Sequence, residues 1–146
     1  MSGRATERPG EPGNVRMKRP DLQITYRNGR VAVIRPPGLV AEPLGPIARE
    51  HRFKVTALCS HLGVSDRQLR RIFSDSLGIG PKDWLRRERM VQARQLLLEG
   101  MQVQEAAAGL GFPTAKDFSR EFQALHEVSP TDFQRRHEAE RERRLE

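Results

Sequence analysis

One cysteine, one tryptophan and one tyrosine stand in a chain of 146 residues, and aromatic residues make up only 5% of it. A lone thiol, Cys59, excludes an internal disulfide and any multi-cysteine zinc site. No stretch approaches the roughly 18–20 consecutive apolar residues that a membrane helix needs. The first twenty residues alternate Arg, Glu, Gly and Pro without the apolar run of a secretory signal. These absences point to the cytoplasm and to no membrane partner. The four histidines, His51, His61, His126 and His137, share no metal-ligand spacing, so no metal site is expected. No Ser/His/Asp arrangement and no phosphate loop appears either, which argues against an enzyme and against a bound cofactor.

Positive charge is what the chain has in excess: 26 Lys+Arg against 19 Asp+Glu, a net +7. Its distribution is uneven. Residues 1–54 hold 11 basic and 5 acidic side chains, whereas residues 55–146 hold 15 and 14. Residues 1–21, with Pro9, Pro12, Pro20 and three glycines, have few apolar positions and are expected to form a disordered basic tail adding non-specific phosphate contacts. Residues 22–35 (LQITYRNGRVAVIR) place Asn28-Gly29 between two β-rich runs, a strong hairpin signal because both turn residues must accept positive φ. Pro36-Pro37-Gly38 ends the hairpin, and a Pro/Gly linker runs to residue 45. Residues 46–51 are expected to form a short helix with Pro46 at its first position.

From Val55 onward the chain repeats itself. VTALCSHLG (55–63) aligns with VQEAAAGLG (103–111) at an offset of 48. After one inserted residue the offset is 49, so SDRQLRRIF (65–73) meets TAKDFSREF (114–122) and GPKDWLRR (80–87) meets SPTDFQRR (129–136). Two copies are too few for a solenoid, so a duplicated small unit is the better reading.

Each copy has the grammar of a helix-turn-helix. In the first (55–77), Val55, Leu58, Cys59 and Leu62 make an apolar face that stops at Gly63. Ser65 and Gln68 can form a capping box, Val64 and Leu69 a hydrophobic staple. Leu69, Ile72, Phe73 and Leu77 then mark a buried face up to Gly78. In the second (103–126), Thr114 caps a helix whose buried face is Phe118, Phe122 and Leu125. Between them, 81–99 reads as one long linker helix with Pro81 at its start and Trp84, Leu85, Met90, Val91, Leu97 and Leu98 as its apolar positions. A last helix starts near Pro130 and uses Phe133, and residues 138–146 form a charged tail expected to fray. The fold class is therefore all-α: two helix-turn-helix subdomains joined by a linker helix, preceded by the tail and hairpin.

The faces left outward by this packing carry cations. In the first unit they hold Arg67, Arg70, Arg71 and Ser74, and guanidinium groups suit guanine edges and phosphates. In the second they hold Lys116, Ser119 and Arg120, with Ala115 small enough for close approach or for a thymine methyl. Asp66 and Asp117 near the helix starts read as partners of the helix dipole rather than readers of cytosine. Arg86 and Arg87 suit phosphate contact and a solvated helix face equally well. A 19-residue linker helix spans about 28 Å. Neighbouring major-groove faces on one side of B-DNA lie about 34 Å apart. One chain can then serve two adjacent grooves as a monomer.

These residues resemble the C-terminal DNA-binding domain of the AraC/XylS transcription regulators. Residues 63–90, 91–100 and 105–136 carry the resemblance, with Gly111-Phe112, Phe118, Arg120, Phe122, Ser129 and Pro130 in register with the family's signature. It covers about residues 46–137. The resemblance implies a sequence-specific regulator of transcription that binds double-stranded DNA, with RNA polymerase as a second partner. Position by position, it places base reading on Arg67, Arg70 and Arg71, and on Ala115, Lys116, Asp117, Ser119 and Arg120. Glu127 departs from the pattern where the family closes its second recognition helix with glycine, and Ala106 replaces a usual isoleucine, so the second core is expected to pack more loosely. The family's ligand-binding domain has no room in residues 1–45, so a stand-alone member is expected, or one governed by its abundance or by a partner. The near-neutral repeat leaves one alternative, a protein-interaction module of the same fold that reads no base sequence. An enzyme is a distant third. The domain also occurs fused to a DNA alkylation-repair methyl acceptor, whose reactive and zinc-binding cysteines a single buried-face Cys59 does not supply.

Overall fold

The computed structural model describes residues 22–27, 30–35 and 41–145. The 1–21 tail, the Asn28-Gly29 turn and Pro36-Pro37-Gly38 lie outside the described residues. The chain divides into two compact units, 1–43 and 44–146.

The first unit contains β1 (Gln23–Arg27), β2 (Arg30–Ile34) and β3 (Glu42–Pro43), antiparallel in the order β1-β2-β3. The β1–β2 register pairs Ile24 with Val33 and Arg27 with Arg30, as the hairpin reading of the sequence requires. The third strand was not foreseen. It is two residues long and edge-placed, where the N–H that Pro43 lacks is not needed by the ladder. Val31, Ala32 and Val33 are buried in succession, and alternate side chains point to opposite faces, so β2 is covered on both.

The second unit has helices and no strand among its described residues: α1 (Leu44–Glu50), α2 (Val55–Leu62), α3 (Asp66–Leu77), α4 (Pro81–Leu98), α5 (Val103–Gly109), α6 (Ala115–His126) and α7 (Pro130–Leu145). The fold is two helix-turn-helix subdomains, α2–α3 and α5–α6, joined by α4. Each first helix ends the same way. Gly63 and Gly111 take left-handed φ values of 71° and 82°. The residue after each donates five residues back, Val64 N–H to Cys59 O and Phe112 N–H to Ala107 O. At Ser65 both arms of the capping box form, at 2.8 and 3.1 Å, and buried Val64 and Leu69 make the staple. Thr114 caps α6 through the Asp117 N–H at 3.0 Å.

The repeat extends into the core. Phe73 packs against Trp84 in the first subdomain and Phe122 against Phe133 in the second, both at 5.7 Å between ring centroids. Leu58, Leu69 and Phe73 are fully buried in the first, and Ala106, Leu110, Phe118 and Phe122 in the second. Cys59 is buried too, and desolvation, followed by the Asp66 carboxylate, pushes its thiol pKa above the ordinary value.

Four local expectations are corrected. The helix α1 begins at Leu44, so Pro46 is its third residue; a first-turn N–H has no intrahelical acceptor and proline costs nothing there. Leu125 is 49% exposed because His126, one residue on, takes the place against the Phe122 ring at 4.4 Å. Val91 is 59% exposed, on the same outer arc of α4 as Arg87, Arg94 and Gln95, while Leu96 is buried. The charged end is helical in the structure: α7 runs to Leu145, in keeping with strong helix formers and Glu/Arg pairs three and four residues apart. Gln134 also ties α7 to the end of α4, donating to Leu97 O at 3.1 Å and Met101 O at 2.8 Å.

Glu127 closes α6 in the left-handed region at φ 61°, where Gly78 closes α3 at φ 74°. That conformation costs a side-chain-bearing residue about 1–2 kcal/mol, partly offset by glycine's larger unfolded-state entropy. Glu127→Gly is therefore expected to raise stability by about 0.5–1 kcal/mol. Gly78→Glu is expected to lower it, although a Cβ there meets nothing within 4 Å. Urea unfolding of both variants checks the pair, and a loss of stability in Glu127→Gly contradicts the backbone account.

Candidate nucleic-acid interface

The outward side of α3 is built by elimination. Burial of Leu69 and Phe73 turns Arg67, Arg70, Arg71 and Ser74 to solvent, and all four are exposed. On α6, burial of Phe118 and Phe122 leaves Lys116 and Arg120 exposed, with Ala115 and Ser119 half-buried at the edge of the stripe. Gln123 is exposed one turn beyond Arg120 and stands 49 residues after Ser74. The sequence reading missed it, and the repeat offset was the signal that could have found it.

The two stripes are electrostatically unlike. At the third position of α3, Gln68 spends its side chain on the capping box, so nothing acidic faces Arg71 from that position. Arg70 is held instead by Asp66 at 2.9 Å. At the equivalent position of α6, Asp117 accepts from the Thr114 hydroxyl at 3.0 Å and from Arg120 at 3.3 Å. Both ion pairs are solvent-exposed and so worth at most about 1 kcal/mol, little enough for an anion to displace. Among the described residues Arg67, Arg71 and Lys116 form no ion pair. Arg86 and Arg87 are exposed on α4 and, with Asp83, Met90, Glu121, Ala124 and Leu125, line a shallow cleft of about 230 Å³ between α4 and α6.

Two arrangements were invisible in the spacing. His51 and His61 hydrogen-bond ring to ring at 3.1 Å. Arg89, which the sequence reading did not single out, lies half-buried and donates from Nε to Leu110 O at 3.0 Å. Burial lowers its pKa below the ordinary arginine value, while the Glu121 carboxylate works in the opposite direction. Among the described residues no group of three or more His, Cys, Asp or Glu side chains could hold a metal ion, and no helix is long and apolar enough to cross a membrane.

The family profile described as a helix-turn-helix domain matches residues 58–136, more than half of the chain, from α2 into α7. The chain belongs to the AraC-type helix-turn-helix family. The transcriptional regulatory protein HptR of Staphylococcus aureus is 36% identical over 89 residues, which are 60% of this chain but 35% of HptR. The chain thus spans about a third of the length of that relative. The DNA-binding domain of AdpA, a global transcriptional factor solved in complex with a target DNA, superimposes with a TM-score of 0.58 at 29% identity, over 66% of this chain and 90% of that one. An AraC-type transcriptional regulator from Chromobacterium violaceum shares the fold, with a TM-score of 0.55 at 23% identity over 63% and 86% of the two chains. The matched residues lie within the helical unit, and both exposed stripes lie among them.

Proposed function

We propose that this AraC-type protein is a sequence-specific regulator of transcription that reads double-stranded DNA with α3 and α6 in adjacent major grooves. The observation that carries the reading is the paired placement of Arg71 and Arg120, 49 residues apart, each exposed on the second helix of a capped helix-turn-helix. Arg67, Arg70 and Lys116 flank them and suit phosphate oxygens or guanine edges, Ser74 and Ser119 suit either, and Ala115 suits a thymine methyl. The 18 residues of α4 span about 27 Å, near the one-turn repeat of a groove face. Two readers in one chain supply what a dimer supplies elsewhere, so binding is as a monomer, in the cytoplasm, with RNA polymerase as the second partner at a promoter.

The near balance of charge in residues 55–146 favours a second reading, an interaction module of the same fold without base recognition. Selection of binding sites from random duplex DNA separates the two. The DNA-reading proposal expects enrichment of two short motifs whose centres lie about one helical turn, 10–10.5 base pairs, apart. No enriched sequence overturns it in favour of the interaction module. Enrichment of a single motif overturns the two-groove part alone.

A further inference from the structure

We infer that Arg89 is a positioning residue: it locks the two helix-turn-helix subdomains to each other, so that the relative placement of α3 and α6 is set at this joint and not by α4 alone. Three elements meet on its guanidinium. From α4 the side chain reaches the turn of the second subdomain, where Nε donates to Leu110 O at 3.0 Å. The guanidinium carbon lies 3.6 Å from the centroid of Phe112, in that same turn. It also lies 5.7 Å from the centroid of Phe53, in the corner between α1 and α2 that leads into the first subdomain.

The corner itself is built to make this approach. Arg52 and Phe53 both have positive φ, 55° and 57°, a conformation that side-chain-bearing residues rarely adopt. It turns the chain so that Phe53 N–H donates to Ala48 O at 2.8 Å and the Phe53 ring is buried. A Cβ on Gly111, in the second subdomain's turn, would lie 3.6 Å from Arg52 Cβ and 3.6 Å from an Arg89 guanidinium nitrogen. A Cβ on Gly109 would lie 3.6 Å from the Arg49 guanidinium. The end of α1 and its corner therefore touch the α5–α6 turn across Arg89. Two strained residues persist only where their surroundings over-determine them, and this contact is what surrounds them. A planar cation suits the place. It offers a face to each ring and an edge to the carbonyl, which the compact ammonium of lysine cannot do together.

The binding consequence rests on the two-groove reading; the structural one does not. Two tethered readers gain affinity on a double site only while their separation fits both grooves. The test uses the full chain carrying Arg89→Met, with nitroxide labels on Ser74→Cys and Gln123→Cys and with Cys59→Ala to remove the native thiol. Pulsed electron resonance should show one narrow distance between α3 and α6 in the parent and a broadened or shifted distribution in Arg89→Met. On DNA chosen by selection, the unlabelled Arg89→Met chain, with Ser74, Gln123 and Cys59 in place, should keep its affinity for each half-site within about twofold of the parent's, while affinity for the double site falls about tenfold or more. An unchanged distance distribution overturns the inference whether or not the protein binds DNA. A changed distribution in a chain that selects no DNA upholds the joint and rejects only the function. Should Arg89→Met not fold, Phe112→Leu, which removes the ring beneath the guanidinium and keeps an apolar side chain, is measured in its place against the same two outcomes.

Discussion

Phe122→Ala is expected to cost about 3–5 kcal/mol of folding stability, the range for removing a buried phenyl ring from a packed core. Phe122 is fully buried and sits at the centre of the second subdomain's aromatic cluster. Its ring centroid lies 5.7 Å from those of Phe118 and Phe133 and 4.4 Å from that of His126. Truncation thus removes a side chain that joins α6 to α7 through a ring contact, Phe122 on Phe133. Domains of this size hold about 5–15 kcal/mol in all, so the variant is expected to lie near its unfolding threshold at 37 °C. Leu125→Ala supplies the contrast. It stands three residues away on the same helix but is 49% exposed, and its loss is expected to stay below about 1 kcal/mol. Urea titration followed by circular dichroism compares them. Similar midpoints for the two variants would contradict the burial that orients α6, and with it the exposure of Arg120.

Arg71→Ala and Arg120→Ala are each expected to weaken binding to the selected DNA site by about 1–3 kcal/mol, roughly 5- to 150-fold, with folding stability unchanged. A guanidinium that donates twice to guanine O6 and N7 leaves both acceptors unpaired when truncated. Binding to scrambled duplex should fall much less, since a lost base contact takes specificity with it. The two losses should add, because the residues lie on separate subdomains with no shared partner. Arg120 must release Asp117 to reach a base, and the 3.3 Å pair, 70% and 38% exposed at the two side chains, is weak enough to yield. Arg67→Ala is expected to behave differently if it holds phosphate, with equal loss on all duplexes and a log–log salt slope shallower by about 0.9. Fluorescence anisotropy at fixed salt gives the affinities. Unchanged specific affinity in both arginine variants removes them from the interface.

The two predictions differ in how much of their basis was legible before any coordinates. That Phe122 is core follows from helical spacing and from its repeat partner Phe73. That Leu125 is not core could not be read, because Leu125 and His126 are both one turn from Phe122. Choosing between them requires knowing where the neighbouring helices stand. Val91 and Leu96 on α4 pose the same problem. A helix flanked on several sides has no single stripe, so apolar periodicity alone does not say which arc is left open. Continuation of α7 to Leu145 was underestimated for another reason: a helix of charged residues shows no apolar signal, although its local propensity is high.

Chain-local chemistry was sufficient for the turn glycines Gly63 and Gly111, the caps at Ser65 and Thr114, and the outward arginines. Each is a contact or a conformation settled within about five residues, and each occurs twice. Family membership followed from the same residues. Only the tertiary structure decided what joins the two copies. Arg89, Phe53 and the Gly111 turn come together from three places in the chain. His51, in the turn after α1, meets His61 near the end of α2, and β3 adds to a hairpin across a gap no spacing rule spans. These contacts depend on how packed helices and strands approach one another, a property of the assembled core that no short stretch of the chain encodes.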